Sequence, residues 1–285
     1  QVLTNLLKAG IEQKPGTTTA FPSATTKAPL TPASLSDSIS VTWKRSAFNA
    51  LGAEINKDAK LADLEFAIRA QPVDLKYGNV PGTLDLVKAK ARVTDVAAAV
   101  LDMPLTGVKY PTFEGWNNIV YGEANYTVAI RYPDASTTKD ALMPSSVDMF
   151  QAMNDLAEIG PVLRPAGGAT VDGKALDTLV TGVGLNPTIA WQPPADGLTP
   201  NGYEVRIINV TQTSVAKATQ YRYVARYLTS DTKLEPLPET FKPGSVYVVH
   251  IVAIKNGEKD FSASPWQRAF PNARASYVTS MFKTE

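Results

Sequence analysis

The sequence predicts an all-β protein: two β-sandwich domains behind an extended, Thr/Pro-rich N-terminal arm. Three observations predict it. Several short segments alternate apolar and polar residues with a period of two, as half-buried strands do, and Gly, Pro and Asp turn residues separate them. At 285 residues and 44% hydrophobic content the chain can fill two ordinary cores. Residues 15–36 shift to Thr, Pro, Ala and Ser, a composition that buries too little apolar surface to order itself. The expected divisions are a helix and tether over 1–35, a first sandwich over 36–159 and a second over 160–285.

Composition limits the partners. Lys+Arg 28 against Asp+Glu 27 leaves a net charge of +1, so no global field draws in nucleic acid or anionic lipid. No apolar run approaches the ~18 residues of a transmembrane helix. The chain has no Cys, hence neither disulfides nor thiolate chemistry. It starts at Gln1 without a Met, which suits a processed mature or trimmed chain. With the Thr/Pro arm, this leads us to expect an exported protein, extracellular or at a cell surface.

In chain order, positions 3, 6, 7 and 11 have helical spacing, interrupted by Gly10. Residues 38–43 alternate and predict a strand with Ile39, Val41 and Trp43 on one face. Residues 46–55 suit a short helix or a bulged loop. Residues 64–70 predict a strand with Leu64, Phe66, Ile68 and Ala70 inward. Residues 83–90 and 91–101 suit helix by their alanines and strand by their alternation, and Met103-Pro104 should close that run. Residues 117–132 give the clearest strand of this half, turned by Pro133-Asp134 and paired with 144–153; residues 148–159 leave room for a helical turn. Beyond 160, strands are expected at 161–165, 188–191, 203–208, 220–228, 233–237 and 245–254. A last strand falls within 266–282, and turns are expected at Gly167-Gly168 and Asp172-Gly173.

The stretch 188–207 runs through Trp191, a Pro193-Pro194 turn and an alternating strand opening at Tyr203. Together with 241–253 it resembles the fibronectin type III domain, in which a Trp on the second strand faces a Tyr on the sixth. The resemblance covers 160–285. Trp191, Pro193-Pro194, Gly202-Tyr203, Leu234, Pro243-Gly244, Tyr247 and Ala253 fall where that pattern wants them. It implies that Tyr247 is the corner tyrosine, its hydroxyl bonded back to the backbone. Residues 210–220 and the tail after Trp266 run longer than the pattern. The first sandwich resembles immunoglobulin-like folds at the level of coarse topology. The whole layout resembles secreted or lipid-anchored bacterial surface proteins.

Chemistry is sparse. His250 is the only histidine, and alternation turns it away from the core, where a Ser-His-Asp triad would find no loop nucleophile. One His and no Cys leave zinc or copper needing an all-carboxylate set. Residues 168–174 match the first part of a P-loop by spacing, but Ala175 stands where Ser or Thr must follow. Asp134, Asp140, Asp148 and Asp155 are the carboxylates a glycosidase would draw on, and Asp134 and Asp140 those a calcium site would use; they lie on expected loops and turns without a motif. No catalytic residue, cofactor or metal is expected.

Two surfaces stand out. Strict alternation puts Tyr221, Tyr223 and Tyr227 on one face of a strand and Arg222 and Arg226 on the other; the tyrosines suit either a core or a binding surface. Val246, Val248, His250 and Val252 form an apolar strip where a solvated face should be polar, so something must cover it: the tail after Trp266, the first domain or a neighbouring copy. The function expected is a non-catalytic surface module, structural or adhesive and open to self-assembly, with protein contacts favoured over glycan. The alternative is a polysaccharide-binding protein or an accessory of a polysaccharide-degrading enzyme, with Trp43, Trp116 and Tyr121 as stacking residues.

Overall fold

A computed structural model describes residues 33–71, 84–92, 101–113, 116–134, 136–153, 156–263, 265 and 269–285. The expectations for the arm before residue 33, for 93–100, for Asp155 and for Trp266 lie outside the described residues.

The N-terminal half contains β1 (Ala33–Trp43), the short helices α1 (Arg45–Ala50) and α2 (Gly52–Ile55), β2 (Ala59–Gln71), β3 (Leu84–Arg92), β4 (Met103–Thr112), β5 (Asn117–Ile130), β6 (Ala141–Ala152) and β7 (Glu158–Ile159). The C-terminal half begins with β8 (Gly167–Val171), β9 (Lys174–Ala175), β10 (Val180–Val183) and β11 (Ile189–Gln192). It continues with β12 (Gly202–Gln212), β13 (Thr219–Thr229), β14 (Lys233–Leu234), β15 (Val246–Asn256), β16 (Asn272–Val278) and β17 (Phe282–Thr284). The described residues are all-β apart from two helical turns.

The alternating segments form strands because alternation matches the two faces of a pleat. Ile39, Val41 and Trp43 are buried along β1, and Leu64, Phe66, Ile68 and Ala70 along β2. The ambiguity at 46–55 resolves to helix, and 84–92 to strand. Asp172 and Gly173, both at positive φ (48° and 75°), turn β8 into β9, the backbone that tight hairpins demand.

Several boundaries differ from expectation. Met103-Pro104 opens β4 rather than closing a run; among the described residues β4 pairs with β1 alone, and an edge strand tolerates Pro. Pro144 sits inside β6, where β5 pairs one side and β16 joins the other only from Val147 onward. Residues 148–152 extend β6 instead of making a helical turn. The strand expected at 161–165 is displaced to 167–171, so Gly167-Gly168 begins a strand; Leu163 makes only a bridge to Gly197. The strand expected at 233–237 stops at Leu234.

The sheets pack in two layers. A ten-stranded sheet runs β10-β17-β15-β16-β6-β5-β2-β3, with β12 on the other side of β15 and β13 beyond it. A three-stranded sheet, β4-β1-β7, lies against its N-terminal half, and Trp43 packs 6.0 Å from Phe66 between the layers. A four-stranded sheet, β14-β11-β8-β9, lies against its C-terminal half, with Trp191 edge-on to Tyr203 at 5.4 Å. The partner of Trp191 is therefore the tyrosine of β12. Tyr247 packs instead on Phe241 and Phe282, and its hydroxyl accepts the Lys242 N–H at 2.8 Å.

One sheet thus passes through both expected sandwiches. The join is β16 on β6, antiparallel, with Ala275 opposite Val147 and Ala273 opposite Met149. The β5–β6 connection reinforces it from the far side of the chain. Thr138 N–H donates to Lys217 O at 3.0 Å, Thr219 N–H to Lys139 O at 2.8 Å, and Tyr132 N–H to Thr219 Oγ1 at 2.9 Å. The end of β13, separated from β6 by β12, β15 and β16, is thereby brought back against the start of β6, so the sheet curls.

Candidate binding site on the inside of the curled sheet

Register decides which side chains share the concave face. Along β12 and β15, Glu204 pairs with Val252, Arg206 with His250, Ile208 with Val248 and Val210 with Val246. On β16, Ser276 stands opposite Val252 and Val278 opposite His250; Arg274 is paired with Asp148 of β6. Val246, Val248, His250 and Val252 are all buried, between 0% and 4% exposed. Their cover is intramolecular. Asn125, Pro144, Ser145 and Ser146 of the N-terminal half face His250 and Val252 across a pocket, while Phe261 packs with Val252 and Ile254 and sits against Gly202, where a Cβ would collide with its ring.

The tyrosine row does not follow strict alternation. Ile207 pairs with Ala225 and Ile208 with Tyr223, leaving Val224 as the extra residue of a β-bulge. One inserted residue exchanges the two faces of everything beyond it. Tyr221 and Tyr223 therefore share the concave face with Arg226, Glu204 and Arg206, whereas Tyr227 and Arg222 lie on the opposite face with Val205 and Asn209. Tyr227 is tied down there, its hydroxyl accepting the Leu237 N–H at 3.1 Å. Tyr223 is 50% exposed and free to meet a ligand.

Glu204 is the electrostatic centre. It is fully buried, and three arginines converge on it: Arg206 beside it, Arg226 at 2.8 Å and Arg274 at 2.7 Å. Burial pushes its carboxyl up, but the hydrogen bonds from Arg206 and Arg226 and the charges of Arg206 and Arg274 outweigh this and hold it down at about 2. His250 is also pushed down, but here burial is the main cause. Burial, then the neighbouring Arg206, lower it to about 3; Glu204 pulls it back up in part and Arg274 adds a smaller lowering, so the ring is neutral at physiological pH. Neither ring nitrogen has a hydrogen-bond partner among the described residues, and the buried Ser145 hydroxyl is in the same position.

These groups line two adjoining hollows that share Arg206 and Tyr223. One, of about 390 Å³, lies over Glu204, Arg226 and the bulge; the other, of about 220 Å³, reaches His250, Arg274, Ser276 and the β5–β6 residues. Of the predicted residues, the structure brings Tyr223, Arg226, His250, Val252 and Asp148 to this trough. It takes Arg222 and Tyr227 to the other face. Glu204, Arg206, Arg274, Ser145, Ser146 and Asn125 were not singled out in the sequence. Glu204 and Arg206 had a readable signal, two charges spaced by two inside an apolar strand. Arg274 and Asn125 had none, because their place depends on the β16–β6 join.

The other candidates go elsewhere. Trp43 and Tyr121, offered as sugar-stacking residues, are 1% and 7% exposed; Trp43 fills the core and Tyr121 lies under the Arg69 guanidinium at 3.9 Å. Trp116 is half-buried and packs on Phe113 at 5.8 Å. Residues 168–174 form the β8–β9 hairpin, which offers no helix N-terminus to a phosphate. Asp134 caps the turn after β5 by accepting the Ser136 N–H at 2.8 Å, and Asp140 pairs with Arg131 at 2.5 Å. A third hollow, of about 310 Å³, lies where the halves meet, between α1 and residues 160–164 and 196–197. Its charges are already matched, Lys44 to Asp102 at 2.7 Å and Arg164 to Asp196 at 3.0 Å and to Glu54. Among the described residues no cluster of three metal-ligating side chains occurs, and no helix is long and apolar enough to cross a membrane.

No protein-family model matches the chain, and no curated protein matches it.

Proposed function

We propose that this protein is a non-catalytic binding module of a cell surface or secreted layer, structural or adhesive in role, that engages its partner through the arginine-lined trough. One observation carries the reading. The trough's two most perturbed groups are both pushed down, well away from physiological pH, which leaves His250 neutral and Glu204 ionised under three arginines. A general acid or base works best with a pKa near the operating pH, so these groups suit fixed recognition rather than proton transfer. Rigid paired strands, not loops, hold them in place, as a preorganised binding surface requires.

The apolar strip on β15 no longer contributes to this reading, because the chain covers it from within. We further propose that 160–285 is a fibronectin type III-like unit and the first half an immunoglobulin-like one, fused through the shared sheet. The tied-back Tyr247 hydroxyl supports the former, while Trp191, which meets Tyr203 rather than Tyr247, departs from that pattern.

The test is turnover. Purified chain incubated with polysaccharide and peptide panels should leave them intact. Turnover that disappears when Glu204 or Asp148 is replaced would overturn the proposal. Light scattering on the chain with and without residues 1–35 reads self-association in the same preparation, and a defined oligomer would add assembly to the role.

A further inference from the structure

The walls of the trough have a composition that a generic protein contact does not require. The residues lining its two hollows include three guanidinium groups, Arg206, Arg226 and Arg274, and two carboxylates, Glu204 and Asp148. The excess is a single positive charge. A singly charged carboxylate balances it, and arginine forks match a carboxylate's two oxygens. At the floor of the smaller hollow, His250 is 1% exposed and offers one N–H with no partner among the described residues. The Ser145 hydroxyl, 5% exposed, is equally unengaged. Buried polar groups are normally satisfied, and a set of donors left open toward a hollow is a set prepared for a ligand.

The rest of the lining points to what carries the carboxylate. Asn125, Asp148, Ser146 and Ser276 supply donors and acceptors in mixed order, which suits a ring of hydroxyl groups more than an apolar chain. Tyr223 stands at the partition between the hollows with half its surface exposed, where a ring can lie against it. The smaller hollow, about 220 Å³, is below the ~300–1,000 Å³ of pockets for drug-sized ligands, so it admits one unit of a larger molecule, with the neighbouring unit passing over the bulge.

We infer that the trough binds an acidic sugar, with the carboxylate of one hexuronate unit seated between Arg206 and Arg274 over His250 and a sugar ring lying on Tyr223. The inference rests on the binding-module reading above and names the ligand class for that site.

Isothermal titration calorimetry on the whole chain tests it with tetragalacturonate, using maltotetraose and tetraglutamate as comparison probes. Tetragalacturonate should bind, and maltotetraose, which lacks carboxylates, should bind about tenfold more weakly or worse, the worth of one hydrogen bond to a charged group. His250→Leu and Tyr223→Ala should each weaken tetragalacturonate by about tenfold; Tyr223 is exposed enough that its variant keeps the fold. Failure of tetragalacturonate to bind, equal binding of maltotetraose, or full affinity in both variants would overturn the inference. Tetraglutamate binding as tightly as tetragalacturonate would also overturn it, moving the site to acidic peptides. Cleavage of tetragalacturonate, by contrast, would count against the non-catalytic reading while leaving the ligand class standing.

Discussion

His250 should make the protein lose stability in mild acid, and replacing it with leucine should abolish that loss. The folded ring has a pKa of about 3, against an ordinary 6.5. Between those values the unfolded chain binds a proton that the folded chain refuses, so unfolding becomes easier as pH falls below 6.5. Each pKa unit is worth about 1.4 kcal/mol, so descending from pH 7 to 4.5 should cost roughly 3 kcal/mol from this residue alone. Glu204 does not contribute in that window. Its folded pKa is lowered from 4.5 to about 2, so the stability it confers is complete above 4.5 and is lost only as pH falls from there toward 2. Asp102, lowered to about 2 by hydrogen bonds from Lys44 and Ser46, likewise acts below the window.

In the His250→Leu variant no hydrogen bond is broken among the described residues, so its stability at pH 7 should stay within about 1 kcal/mol of the parent. Urea unfolding curves at pH 7, 6, 5 and 4.5, at constant ionic strength, should show the parent falling by roughly 3 kcal/mol and the variant staying flat. A parent that is equally stable at pH 7 and 4.5, or a variant that keeps the parent's slope, would refute the assignment of a buried neutral histidine.

Three further outcomes follow from the packing. Glu204→Gln leaves three arginines converging on a neutral group and should cost about 3–5 kcal/mol in urea melts, as breaking one side of a buried pair does; a loss below 1 kcal/mol would mean the arginines re-pair with Asp148 or solvent. Trp191→Ala should cost about 3–5 kcal/mol, because Trp191 fills the space between β11 and Tyr203 and its neighbours cannot close the cavity. A neutral result there would contradict the sandwich packing of the C-terminal half. Tyr247→Phe removes only the bond to the Lys242 N–H and should cost about 1 kcal/mol, measured in the same way.

Local alternation was enough to place most strands, because burial of one face is dictated residue by residue: Leu64, Phe66 and Ile68 point inward whatever their neighbours are. The Asp172-Gly173 turn was legible for the same reason, being made by residues close in sequence, whereas the Tyr247 tie was expected only from the fibronectin type III resemblance. What the sequence could not show depended on partners far along the chain. The pairing of β16 with β6 turns two expected sandwiches into one continuous sheet, and nothing in either strand names the other. The bulge at Val224 depends on how β13 meets β12, and that single residue moved Tyr227 away from Tyr221 and Tyr223. Alternation puts His250 on the face of β15 opposite Tyr247 and Val249. Only the curl of the sheet, which brings residues 125 and 144–146 over it, buried that face and made a site of it. Alternation fixes the side of a strand a residue occupies; strand order and curvature, set by long-range pairing, decide what stands opposite.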